Sequence, residues 1–83
     1  MAIAQQVRHF ILSNYLFTDD QNSLVDTASL MQSGHMDSTG ILELIMFLEE
    51  TFGIKVLDDE MIPANLDSVT SVVAFVDRKR AAG

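Results

Sequence analysis

The chain has 83 residues, which is room for one small hydrophobic core, so we expect a single domain over residues 1–83. Hydrophobic residues make up 48% and charged residues 20%, a composition typical of folded proteins and unlike that of disordered chains. Cysteine is absent, which excludes disulfides, thiolate zinc sites and a cysteine nucleophile.

Acidic residues dominate the charge. Twelve acids face five bases, giving a net charge of -7, and between Asp19 and Asp67 the only base is Lys55. Such a surface would repel the phosphates of nucleic acid, which we therefore exclude as a ligand. It would attract proteins with basic patches, although a plain solubilising role explains the same charge. Both explanations stay open from charge alone.

Neither a membrane span nor a secretion signal is visible. The longest apolar run, Leu44 to Leu48, has five residues, whereas a bilayer span needs about 20. The first ten residues lack a basic flank followed by an apolar segment and a small-residue cleavage site. We therefore expect no membrane association and a cytoplasmic location.

The first segment predicts a helix from Ala2 to Tyr15, because its apolar residues recur at helical spacing. These residues are Ile3, Val7, Phe10 and Ile11. The polar stretch from Thr18 to Asp37 predicts a long connection with one short turn around 29–32. Four apolar side chains are expected to anchor this connection to the core: Leu24, Val25, Leu30 and Met31.

A second helix is predicted after Asp37, ending at Gly53 where a helix commonly stops. Its apolar positions follow the i, i+3, i+4, i+7, i+11 pattern: Ile41, Leu44, Ile45, Leu48 and Phe52. Further on, three acids precede the apolar pair Met61 and Ile62, and Pro63 follows at once. Because acids are favoured in a first helical turn, this predicts one helical turn there, with the acids at its start.

The last helix is predicted to begin after Asp67 and Ser68, which can cap it. Its inward face consists of Val69, Val72, Val73 and Val76, and its end carries Arg78, Lys79 and Arg80. The β-branched residues would also suit a strand, but their spacing does not alternate and no partner strand is predicted. The expected fold class is all-α, a small four-helix bundle with a long first loop and a short third helix.

Self-sufficient catalysis is not expected from this chain. A serine nucleophile needs a base, and only His9 and His35 are present, with His35 three residues before Ser38. The local sequence HMDSTG is not a nucleophile elbow, and the chain is small for a substrate cleft. Two histidines are also too few for a dedicated zinc site, so we expect no metal site.

The pair Asp37-Ser38 at the start of the second helix is the feature that points to chemistry. Either residue could cap the helix by accepting hydrogen bonds from first-turn amides. With two cap-type residues side by side, Asp37 could cap while the Ser38 hydroxyl stays free. A phosphodiester on Ser38 would fit there, because a helix N-terminus favours negative charge.

The string SGHMDSTGILELIMFLEETFGI, residues 33–54, closely resembles the second-helix signature of acyl and peptidyl carrier proteins. In that signature Asp-Ser is followed by an acid five residues after the serine, which here is Glu43. The order of predicted elements extends the resemblance over essentially the whole chain. It implies a bundle of the acyl carrier type, with 4'-phosphopantetheine attached to Ser38 from coenzyme A by a phosphopantetheinyl transferase. The arm would supply the thiol that the chain lacks, and the carrier itself would catalyse nothing.

The resemblance also implies partners, which are the transferase, a ligase that loads acyl or aminoacyl groups, and acyltransferases or synthases. A carrier that visits several enzymes in turn is served better by weak, fast, charge-steered contacts than by tight ones, and we expect a monomer. The residues expected to meet these partners are Asp37, Thr39, Glu43, Met46, Phe47, Glu49 and Glu50, with the three glutamates facing outward. A cargo cleft between helices is implied, with Ile45, Leu48, Ile62, Val69 and Val73 as candidate lining, although a plain core role is favoured for them.

Two positions depart from the family pattern. Thr39 replaces the usual large apolar residue after the serine, and Gly40 follows it, so both should loosen the start of the helix. The SGHMDSTG spelling is closer to aminoacyl carriers such as D-alanyl carriers, and to carriers of secondary metabolism, than to the housekeeping fatty acid carrier. The alternative function is an unmodified acidic helical adaptor for a basic protein, in which Ser38 would only be a cap.

Overall fold

A computed structural model describes residues 3–82, and over these residues the chain is helical and contains no strand. The predicted all-α class with four helices and a long first loop is confirmed. The α-helices are α1 (Ile3–Ile11), α2 (Ser38–Phe52), α3 (Pro63–Leu66) and α4 (Val69–Ala82). Shorter helical segments are a π-helical turn (Leu12–Leu16) and two 3-10 turns (Gln21–Ser23 and Asp58–Glu60).

Helix α1 follows the predicted face but not the predicted end. Val7 and Ile11 are fully buried, as their spacing requires. The α-helix stops at Ile11 and widens into the π-helical turn, which closes at Phe17 in a left-handed conformation (φ 54°). Ala2, the predicted first residue, lies outside the described residues. The apolar pattern could not distinguish the two helix types, because both keep Leu12 on the buried side.

The long loop is held to α1 by Arg8. Its guanidinium donates to the backbone carbonyls of Gln21 (2.6 Å) and Leu24 (3.0 Å) and pairs with the Asp26 carboxylate. The 3-10 turn inside the loop was not predicted, and Asp20 caps it by accepting from the Asn22 N–H at 3.0 Å. These bonds satisfy loop carbonyls that no regular ladder reaches.

Only half of the predicted loop anchors are buried. Leu24 and Leu30 lie in the core, but Val25 and Met31 are exposed, so their predicted anchoring role is wrong. The second attachment is polar instead: the Asp67 carboxylate accepts from the Ser29 hydroxyl and from the Met31 N–H (3.1 Å). The expected turn is present, with the N–H of residue 33 donating to the carbonyl of Ser29 at 3.0 Å.

The predicted helical turn before Pro63 is present at Asp58–Glu60, but it does not extend over Met61 and Ile62, and the role expected for the proline is wrong. Pro63 begins α3 instead of ending a turn, because a proline at the first helical position gives up no intrahelical bond. The three acids form a 3-10 turn of their own, and Met61 and Ile62 lie exposed between the two segments. The sequence suggested a helical face at this apolar pair, because it does not show that both side chains line a cleft beside α2.

Helix α4 begins as predicted, and the two residues before it, Asp67 and Ser68, have different roles. The Ser68 hydroxyl oxygen accepts from the Ser71 N–H at 3.1 Å and acts as the cap, while Asp67 bonds the loop instead. Val69, Val72 and Val76 are buried, and Phe75, which the valine pattern did not include, is buried beside them. Near the end of α4, Lys79 pairs with Glu60 at 2.8 Å.

The core brings all of these elements together. Its buried side chains come from both ends of the chain and from the loop: Val7, Ile11, Leu12, Leu24, Leu30, Met36, Leu44, Ile45, Leu48, Val56, Leu66, Val69, Val72, Phe75 and Val76. Burial of this apolar surface is the main stabilising contribution. Among residues 3–82, no helix is long and apolar enough to cross a membrane.

Candidate functional site around Ser38

At the start of α2, Asp37 caps the helix and Ser38 does not. Asp37 is the cap: its side chain accepts from the Gly40 N–H at 2.8 Å, and its carbonyl accepts from the Ile41 N–H at 3.0 Å. Ser38 is the first helical residue and is exposed. Within residues 3–82 no hydrogen bond engages its hydroxyl, which is therefore available for reaction.

Gly40 has a packing role that its low helix propensity did not indicate. It is buried, and a Cβ at this position would lie 3.2 Å from Tyr15 Cε1 and 3.3 Å from Met36 Cβ. Those distances are tighter than ordinary van der Waals contact. Glycine thus lets Tyr15 and the loop approach the first turn of α2 and fixes the surroundings of Ser38.

An apolar cleft of about 270 Å³ opens beside Ser38, between α2 and the segment that contains α3. Its lining consists of Met31, Ser38, Ile41, Leu42, Ile45, Met61, Ile62, Pro63, Leu66 and Asp67. Of the five predicted lining residues, Ile45 and Ile62 lie here. The structure corrects the other three: Leu48 and Val69 are fully inside the core, and Val73 packs against it.

An exposed apolar ridge runs along α2, formed by Leu42 and Met46. These side chains keep 56% and 59% of their surface exposed and lie one turn apart on the same side of the helix. Met46 was predicted to meet partners, but Leu42 was not. The signal that could have found Leu42 is its spacing, because the inward positions 41, 44, 45 and 48 leave positions 42 and 46 outside the core-facing stripe.

The three glutamates of α2 do not behave alike. Glu50 is exposed as predicted, and Glu43 is exposed but accepts a hydrogen bond from the Tyr15 hydroxyl. Glu49 departs from the expected outward orientation: it is half-buried, and its carboxylate accepts from the Val56 N–H at 3.0 Å. Sequence could not reveal this, because the bond depends on how the chain turns back after Gly53.

The pKa of Tyr15 reflects the burial and the negative charges of this region. Its pKa is raised from 10.0 to about 12, first by burial, then by the hydrogen bond to Glu43 and by the negative charges of Glu43 and Asp37. In the described part of the chain the ion pairs lie elsewhere, between Arg8 and Asp26 and between Lys79 and Glu60. The face around Glu43 therefore keeps its negative potential.

Two further residues predicted to meet partners, Thr39 and Phe47, differ in exposure. Thr39 is exposed next to Ser38. Phe47 is half-buried, because its ring stacks on Phe10 with centroids 4.4 Å apart and meets Phe52 edge-on at 6.1 Å. It contributes to packing between α1 and α2 as well as to the surface.

A shallow depression of about 500 Å³ on the loop side of Ser38 contains His35. Within residues 3–82 no hydrogen bond joins His35 to Ser38, and no group of three or more potential metal ligands occurs.

Comparison with known proteins agrees with the resemblance of residues 33–54. No family model matches the chain. It is 38% identical over 66 residues to D-alanyl carrier proteins of Streptococcus pyogenes serotypes M5 and M1, covering 80% of this chain and 82% of each relative. It is also 27% identical over 78 residues to the acyl carrier protein of Zymomonas mobilis, covering 94% of this chain and 95% of that relative. With this likeness over most of both lengths, and with the helical bundle found here, the chain belongs to the acyl and aminoacyl carrier protein family.

Proposed function

We propose that this protein carries acyl or aminoacyl groups as thioesters on a 4'-phosphopantetheine arm attached to Ser38, as one carrier domain over residues 1–83. The observation that supports this most directly is the free, exposed Ser38 hydroxyl at the start of α2, with Asp37 as the cap. A hydroxyl needed for capping could not be esterified without destabilising the helix.

The residues around Ser38 fit such an arm. The positive end of the 15-residue helix α2 favours the phosphodiester charge, and the hydroxyl faces solvent, where a second enzyme can reach it. The cleft that Ser38 lines is predominantly apolar and suits an acyl chain. When bound, the arm supplies a thiol, which a chain without cysteine does not have.

The contribution of the chain to loading is one oxygen atom. Ser38 Oγ forms the new bond to phosphorus, its proton leaves, and the nucleotide part of coenzyme A departs. The base for this step belongs to the phosphopantetheinyl transferase, since no described side chain hydrogen bonds the hydroxyl. Thereafter Asp37 keeps the helix start in place, and the carrier is a substrate rather than a catalyst.

The surface of α2 supports a role in visiting several enzymes. The ridge of Leu42 and Met46 lies beside exposed Thr39, Glu43 and Glu50, which combines apolar contact with negative charge. Such a surface attracts basic partners quickly and releases them easily. The proposed partners are the transferase, a loading ligase and acyltransferases or synthases, met by a monomer in the cytoplasm.

Intact-mass spectrometry tests the proposal. After incubation with coenzyme A and a broad-specificity phosphopantetheinyl transferase, the chain should gain the mass of one arm. Ser38→Ala should gain nothing while keeping its helical circular dichroism, because Asp37 still caps α2. Ser13→Ala, a change at another exposed serine, is the matched control and should gain one arm. A wild-type chain that stays unmodified would favour the acidic adaptor instead.

A further inference from the structure

His35 lies beside Ser38, because both residues line the depression of about 500 Å³ on the loop side of the serine. The backbone next to the histidine is anchored to the core. The Met36 N–H donates to the Leu30 carbonyl at 3.1 Å, and the Met36 side chain is buried. The position of His35 relative to the start of α2 is therefore set by the fold of the loop.

The imidazole ring of His35 has no partner in the described chain. The residue is half-buried, and no hydrogen bond engages its ring within residues 3–82. The two ion pairs found in these residues join Arg8 with Asp26 and Lys79 with Glu60. Both ring nitrogens are therefore available to a group that enters the depression.

The surroundings of Ser38 already hold one negative charge. The Asp37 carboxylate accepts from the Gly40 N–H at 2.8 Å, so it partly neutralises the positive end of α2 before any arm is attached. A phosphodiester on Ser38 would be a second negative charge close to the first. Among the described residues that line the depression, His35 alone has a side chain that can become a cation. The counter-charge for the phosphodiester can therefore come from His35.

We propose that His35 binds the phosphodiester of the arm, an inference that rests on the proposed attachment of that arm to Ser38. Imidazole can take up a second proton near neutral pH, and a neighbouring negative charge favours that form. The imidazolium then donates a charge-assisted hydrogen bond to a phosphate oxygen. His35 is thus a positioning residue, which offsets the repulsion from Asp37 and orients the first part of the arm. The base for the transfer still belongs to the transferase.

Nuclear magnetic resonance at about pH 7, where an ordinary histidine is only partly protonated, tests the contact. The chain has two histidines, so labelling of the ring nitrogens gives signals from His35 and His9 alone. When the arm is attached, the His35 signals should move toward the values of a doubly protonated ring. The signals of His9, which is exposed on α1 and does not line the depression, should stay in place. Unchanged His35 signals, or equal movement of both histidines, would overturn the inference.

Urea denaturation with and without the arm measures the strength of the contact. Attachment should lower the folding equilibrium constant of His35→Gln about threefold more than that of the unaltered chain, the scale of a surface ion pair. Glutamine can donate a hydrogen bond but carries no charge to offset Asp37. His35→Arg restores a cation and should remove most of this difference.

His9→Gln is the matched control for the urea experiment and should respond to the arm like the unaltered chain. If His35 only supported the loop, His35→Gln would lose the same stability with and without the arm. Such an equal loss would contradict the proposed contact, even if the variant were less stable than the unaltered chain.

Arm attachment and the contact of His35 with the arm can fail separately. If the unaltered chain gains one arm while the His35 signals stay in place, His35 is not the ligand of the phosphodiester, and the carrier function stands. If the unaltered chain gains no arm, the carrier function is rejected, and the role of His35 is rejected with it. Intact-mass spectrometry of the sample used for resonance distinguishes these two results.

Discussion

Tyr15 joins three parts of the site through a single side chain. Its ring lies where only a glycine at position 40 leaves room, and its hydroxyl holds Glu43. It is the one tyrosine of a chain without tryptophan, so its ionisation can be followed without interference. The start of α2 and the acidic face are thus both coupled to a residue of the π-helical turn that follows α1.

A spectrophotometric titration should place the pKa of Tyr15 at about 12 instead of 10.0. Glu43→Gln should bring that pKa part of the way back, because it removes a charge but leaves the burial that is the largest cause. Since the folded phenol has the higher pKa, its contribution to stability is complete below pH 10 and is lost as pH rises toward 12. Glu50→Gln is the charge-matched control, and an equal shift in that variant would contradict the role of Glu43.

Phe17 is 82% exposed and adopts a left-handed conformation that is unfavourable for a bulky residue. Phe17→Asn should raise the free energy of unfolding by about 0.5–1 kcal/mol, because asparagine tolerates this region and little buried surface is lost. Urea denaturation with an unchanged m-value measures the gain. Phe17→Ala is the control, because alanine does not share asparagine's tolerance of the left-handed region. A gain of the same size in Phe17→Ala would refute the explanation by backbone strain.

Individual side chains were predictable where spacing alone decides burial. The inward positions Leu44 and Leu48 follow from periodicity, and the free Ser38 followed from two cap-type residues in a row. The hydrogen bond of Glu49 to the Val56 N–H was not predictable, because it depends on the path of the chain after Gly53. Which of two neighbouring acids is solvated is decided by tertiary structure.

At the scale of elements, the loop and the α3–α4 junction are held together by Asp67. Its carboxylate accepts from the Ser29 hydroxyl and the Met31 N–H, and its carbonyl accepts from the Leu30 N–H at 2.6 Å. Because Met31 and Asp67 both line the cleft, these bonds also define the wall of the cleft.

Asp67→Ala should lower the free energy of unfolding by about 1–3 kcal/mol, since it leaves a half-buried hydroxyl and an amide without their acceptor. Ser29→Ala should cost about 1 kcal/mol, and the double variant should cost less than the two single changes combined. Urea denaturation provides all three values. Asp59→Ala, at an exposed position, should remain within about 0.5 kcal/mol of the unaltered chain, and strictly additive losses would show that Ser29 and Asp67 do not interact.

The predicted elements succeeded where caps and periodicity agree, as for α2 between Asp37 and Gly53, which takes φ 67°. They failed at Pro63, because a proline can end one segment or begin the next and local sequence does not distinguish the two. The π-helical turn after Ile11 has no sequence signature of its own.

At the scale of the whole molecule, the radius of gyration is 11.8 Å, close to the roughly 12 Å expected for a compact domain of this length. Compactness holds although acids outnumber bases twelve to five. The bond between Lys79 on α4 and Glu60 before α3 joins distant parts of the chain and offsets some of this repulsion.

The stability of the molecule should depend on pH through Glu60. Its pKa is lowered, chiefly by the hydrogen bond from Lys79 and then by that from the Leu57 N–H. A lowered folded-state pKa gives stability that is present above the unfolded value of 4.5 and is lost as pH falls through the folded one. The difference in unfolding free energy between the unaltered chain and Glu60→Gln should therefore shrink as the pH falls below the unfolded value of 4.5 and through the lower folded-state pKa. A difference that stays constant over this range would exclude Glu60 as the titrating group.

The hydrogen bonds and the ion pair between Arg8 and the loop have a practical consequence for dividing the protein into two pieces. A break at exposed Thr27 would leave Arg8 and all of its acceptors, up to Asp26, on the first piece. The second piece would keep Asp67 with Ser29 and Met31, and the Thr70 N–H would still meet the Asp26 carbonyl across the gap. If the two pieces were fused to two other proteins, reassembly of the bundle would report that those proteins are close together. Ser38 would lie intact on the larger fragment.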